Sequence, residues 1–209
     1  MSDTIMIRTT ARLLLGCTLL VGACKDDPAD DASDGPQPAS TRNHLLWKRA
    51  HALEQDLSRA LELDPSEVCT ELGEYSCAEL VHLTSLGGHD PFRQGLYRPL
   101  GQPLVTTPLV SERMALAACT RRVNADREGE PKVFTDLDLD AAAPAPDTKP
   151  FDATITTLYR RMLQRDPTAA ERTLLGELAL DGDGAAIPAA DFAQLTCFTV
   201  ATTTEFLFL

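Results

Sequence analysis

The chain lacks any apolar run approaching the roughly 20 residues that a transmembrane helix needs, although 44% of its 209 residues are hydrophobic. That combination excludes a polytopic membrane protein and suits a globular domain. Positive charge is also scarce: 19 Lys and Arg stand against 31 Asp and Glu, for a net charge of −12. Phosphate recognition depends on clustered Lys and Arg, so no nucleic-acid partner is expected. The same balance opposes electrostatic docking on anionic lipid. None of the six cysteines forms a C-x-x-C pair, which excludes a haem-attachment sequence and the usual zinc-ribbon spacing. G-x-S-x-G, H-E-x-x-H, P-loop and dinucleotide glycine patterns are missing too. No cofactor and no metal is therefore expected, and catalysis is not the leading reading.

What is present begins at the N-terminus. Arg8 and Arg12 give a basic start, and Leu13 to Leu20 give a short apolar core. Val21, Gly22 and Ala23 then place small residues before Cys24. The order is that of a removable export signal, and the apolar part is too short to span a bilayer. It resembles the lipobox of bacterial lipoproteins, in which the cysteine thiol is diacylated and the preceding peptide is cut. The resemblance implies a signal peptide over 1–23 and lipidation of Cys24. It also implies a cell-envelope protein, membrane-anchored and extracytoplasmic, held by acyl chains. Residues 24–41 then form the lipidated cysteine and a flexible acidic tether. Lys25 to Ser40 contains no large apolar side chain and cannot bury enough surface to offset ordering.

Loss of Cys17 with the signal and lipidation of Cys24 leave Cys69, Cys77, Cys119 and Cys197. Four cysteines in an oxidising compartment suggest two disulfides, with three connectivities open. A local Cys69–Cys77 bridge across a turn at Gly73 would leave Cys119 to pair with Cys197. A metal site is the rival reading of the same four residues.

Residues 42–209 read as one all-α domain of six or seven helices with two Pro-rich connections. Leu45, Leu46, Leu53, Leu57, Ala60 and Leu61 recur at helical spacing over Arg42 to Leu63, before Asp64-Pro65. Asp64-Pro65-Ser66-Glu67 starts a short helix expected to end at Gly73. Ser76 to Glu79 has capping-box order and opens a helix carrying Leu80, Val81, Leu83 and Leu86, ended by Gly87-Gly88. His89 to Thr107 is an irregular connection that keeps Phe92 and Tyr97. Such a loop is expected to pack back on the core or to serve a site. Thr107-Pro108 opens a helix to about Asp126, and 129–150 is linker-like. Further helices start at Asp152, at the Thr168 to Glu171 capping box, and at Pro188 or Asp191, the last running to Phe206.

Tyr159 to Glu171 and Phe192 to Leu209 are similar to a helical module of planctomycete-type exported proteins associated with cytochrome c domains. There a helix ends in Arg-x-Pro-Thr, the next begins with an acid three residues on, and the module closes in a Phe-Leu-Phe ending. The similarity implies a shared helical fold and, at most, an exported redox partner.

Among side chains that carry chemistry, His82, His89 and Asp90 form the sharpest candidate site. A histidine near a carboxylate can act as a base, and a Gly-rich loop can present it. His44 and His51 are seven apart and read as helix-surface residues. The leading expectation is a non-catalytic interaction or assembly component of an envelope complex, with an envelope protein as partner. The alternative is an envelope enzyme using His82, His89 and Asp90.

Overall fold

The computed structural model describes residues 46–209; the expected signal peptide over 1–23, Cys24 and the tether over 24–41 lie outside the described residues. The described part is mostly helical, with one two-stranded hairpin.

The first expected helix begins later than its periodicity suggests. α1 spans Ala50–Leu61 and buries Leu53, Leu57, Ala60 and Leu61. The preceding Leu46–Lys48 is drawn into an antiparallel ladder with the last three residues. Lys48 N–H donates to the Leu207 carbonyl (2.8 Å), and Leu46 and Leu209 exchange backbone bonds of 3.3 and 2.6 Å.

α2 (Pro65–Val68) starts where the cap chemistry requires, with Asp64 Oδ1 accepting from Ser66 N–H at 2.9 Å. It stops well short of Gly73, and here the fold departs from all-α. Strands β1 (Thr70–Glu71) and β2 (Tyr75–Ser76) pair antiparallel, turned by Leu72 (φ +53°) and Gly73 (φ +75°) in left-handed backbone. The Cys69–Cys77 disulfide closes the hairpin at its base.

Ser76 Oγ does accept from Glu79 N–H (3.1 Å), yet the helix it opens is a five-residue π turn, Cys77–Val81. Its first residue is pinned by the bridge to Cys69 and by Cys77 N–H on the Cys69 carbonyl (3.1 Å). Leu83 and Leu86 beyond it are buried, whereas Leu80 and Val81 are exposed.

After an irregular stretch, α3 (Thr107–Glu128) forms the central element and packs against α1, α2 and α6 (Ala189–Ala201). Cys119 and Cys197 join α3 to α6. The stretch 129–150 is no mere spacer: Val133, Phe134, Leu139 and Ala143 are buried in the core. Asp126 folds it back by accepting from the N–H groups of Lys132, Val133 and Phe134 at 2.8, 3.0 and 2.9 Å.

α4 (Lys149–Met162) begins before Asp152, with Pro150 in its first turn. α5 (Ala169–Gly176) carries the reciprocal capping box of Thr168 and Glu171 and tightens into a 3₁₀ turn, Glu177–Ala179. The expected closing helix is divided into α6 and α7 (Thr204–Leu207). Thr202 Oγ1 donates to the Phe198 carbonyl and Thr203 Oγ1 to the Val200 carbonyl, each at 2.8 Å. These bonds end α6, as side chains that compete for backbone carbonyls do. Thr203 then caps α7 by accepting from Phe206 N–H (3.2 Å).

No described helix is long and apolar enough to cross a membrane.

Candidate functional site

His82, His89 and Asp90 are separated into two environments by the π turn. His82, at its end, points to the hairpin. Its Nε2 lies 2.9 Å from Glu71 Oε1. Arg113 of α3 reaches the same carboxylate from the other side, donating from Nε to Oε1 (2.5 Å) and from Nη2 to Oε2 (2.6 Å). This double donation, with the His82 contact second, holds the Glu71 carboxyl down to about 2 from its ordinary 4.5. The three groups sit beside a groove of about 550 Å³ lined by Glu67, Cys69, Thr70, Glu71, Arg113 and Arg121. Cys77 lies close to Glu71 and His82, but its sulfur is bonded to Cys69 and cannot serve as a thiolate.

His89 and Asp90 lie elsewhere, in a cavity of about 310 Å³ shared with His51, Glu79 and Arg93. Asp90 has a local role: Oδ1 accepts from Phe92 N–H (3.0 Å) and Arg93 N–H (2.9 Å), and Oδ2 pairs with Arg93 Nε at 3.2 Å. The Arg93 N–H bond leads the contacts that lower its pKa. Among the described residues no hydrogen bond or ion pair joins His82 to His89 or Asp90.

The sequence reading missed a tighter group on the rim of that cavity. His51 and Glu54, one turn apart on α1, meet Glu79 of the π turn, and one ligand atom from each lies within 4.8 Å of the others. His51 and Glu79 are exposed, but Glu54 is only 5% exposed. Burial, and then the neighbouring Glu79 carboxylate, raise the Glu54 pKa, while His51 opposes the shift. The π turn therefore supplies Glu79 to one environment, and His82, the residue that follows it, reaches the other. The His51-x-x-Glu54 spacing was the readable signal, since residues three apart on a helix are neighbours. Glu79 was not readable, because its arrival depends on the Cys69–Cys77 bridge and the π geometry.

No family model, curated protein or solved structure matches the chain.

Proposed function

We propose that this is a lipid-anchored, extracytoplasmic protein whose helical domain serves as an interaction or assembly component of an envelope complex. The address is supported by the lipobox ending at Cys24 and the acidic stretch after it. It is also supported by the domain cysteines, all four of which are held in bridges, Cys69–Cys77 and Cys119–Cys197. Such bridges persist in oxidising compartments. Acyl chains make the membrane contact, and an envelope protein is the partner.

The observation that carries the interaction reading is the state of the irregular segment between the π turn and α3. Phe92 is 97% and Tyr97 78% exposed, and Val105 and Leu109 are exposed beyond them. An aromatic-bearing loop that does not pack back on its own core leaves apolar side chains for a partner to cover.

The test is co-purification of the anchored full-length chain from its own membranes after in-cell cross-linking. A defined envelope protein, recovered in fixed ratio and lost when Phe92 and Tyr97 are both changed to Ser, is the expected result. An unchanged recovery with the double variant, or no partner at all, overturns the reading.

A further inference from the structure

We propose that His51, Glu54 and Glu79 form a binding site for a divalent transition-metal cation of the zinc class. One imidazole and two carboxylates are a donor set that such ions accept. Donors about 2.0–2.2 Å from a tetrahedral ion stand roughly 3.4 Å apart. Rotamer changes in the exposed His51 and Glu79 side chains would close the present spread of up to 4.8 Å to that value.

Glu54 is the independent indication. Its residue is 95% removed from solvent, and no hydrogen bond or ion pair reaches its carboxylate among the described residues. A charged carboxylate on a residue so far withdrawn from water is costly without a compensating group. Here the groups it faces are Glu79, which adds charge of the same sign, and a single imidazole. A dication balances both carboxylates at once and converts their repulsion into ligation. Three protein ligands would leave a fourth tetrahedral position open, and His51 and Glu79 both line the cavity that holds His89. Neither cysteine chemistry nor the Glu71 and His82 pair takes part.

The test uses the full-length chain without a polyhistidine tag, purified in detergent, stripped with chelator and titrated with Zn²⁺ in a calorimeter. One equivalent is expected to bind, with a rise in Tm. His51→Ala and Glu79→Gln are each expected to weaken binding roughly tenfold or more, since removing even supporting groups costs that much. Glu54→Gln should do the same, and His82→Ala should not. His51 and Glu79 are exposed, so the metal-free melting of their variants should match the wild type, which separates lost ligation from lost fold. No saturable binding, binding that survives both H51A and E79Q, or binding removed by H82A instead would overturn the proposal. The interaction reading above stands or falls separately.

Discussion

Arg122 Nη2 lies 2.6 Å from Asp126 Oδ1, one turn along α3, with both side chains almost wholly withdrawn from water. The pair joins two parts of the chain. Arg122 Nη1 also donates to the Glu62 carbonyl at 3.3 Å, just past α1, while Asp126 gathers three N–H groups from residues 132–134. Asp126→Asn would leave a buried guanidinium without its counter-charge and impair the acceptor for that loop. A loss of about 3–5 kcal/mol is expected. Urea unfolding measures it, and a loss below about 1 kcal/mol would show that the pair is dispensable.

The two disulfides should differ in weight because the loops they close differ in length. In the chain-entropy account, the 78-residue separation of Cys119 and Cys197 corresponds to about 4–5 kcal/mol. The 8-residue separation of Cys69 and Cys77 corresponds to about 2.5 kcal/mol. C119S/C197S is therefore expected to melt well below C69S/C77S. The reverse order would mean that native-state effects outweigh loop closure.

Acid should weaken the hairpin's attachment to α3. Glu71 has its pKa depressed to about 2 by Arg113 and then His82, so the folded chain holds that proton less readily than the unfolded one. The contact's stabilisation is fully present above the ordinary value of 4.5 and is lost as pH falls from there toward 2. In Arg113→Gln this acid-sensitive part should shrink. The stability gap between wild type and variant is expected to narrow between pH 6 and pH 2.5. A gap independent of pH would contradict the assignment.

Leu72 occupies left-handed backbone at φ +53° and is 92% exposed. Non-glycine residues seldom adopt that conformation, and in the turn before Gly73 asparagine is favoured over leucine. Leu72→Asn is expected to stabilise the chain by about 1 kcal/mol. A loss of stability would imply that Leu72 packs against something in solution.

Cys24→Ser should abolish membrane attachment, read by fractionation of cells expressing the full chain. Retention of the variant in the membrane fraction would refute lipidation. Thiol labelling of the denatured, unreduced protein is expected to find no free thiol among Cys69, Cys77, Cys119 and Cys197, in keeping with the two bridges.

Local chemistry was legible in the sequence wherever one short stretch decided the outcome. Asp64 and Thr168 cap helices as their side chains dictate, and Thr107-Pro108 opens α3. Of the three connectivities left open, the bridges take the one with a local Cys69–Cys77 closure. Contacts between distant residues were not legible. Leu46 leaves helical geometry because Leu209 offers a ladder partner, and Val133 and Phe134 are buried because Asp126 captures their backbone. Gly87 (φ +68°) shows the same limit: it ends a turn as expected, but a Cβ there would meet the Trp47 ring at 2.5 Å. Of the candidate site, His89 and Asp90 do share a cavity. His82 is drawn to Glu71 by a hairpin that periodicity gave no means to foresee.

The ladder between residues 46–48 and 207–209 has a mechanical consequence. Tension applied at Leu46 would load the three backbone hydrogen bonds to residues 207–209, and with them α7, to which Leu207 belongs. Lys48 adds its ion pair to Asp56 of α1 (2.7 Å), Arg49 Nη2 donates to the Leu100 carbonyl (3.1 Å), and Ala50 N–H donates to the Leu86 carbonyl (3.0 Å). The load is thus shared at once between both ends of the domain, so the segment acts as a clasp rather than as slack.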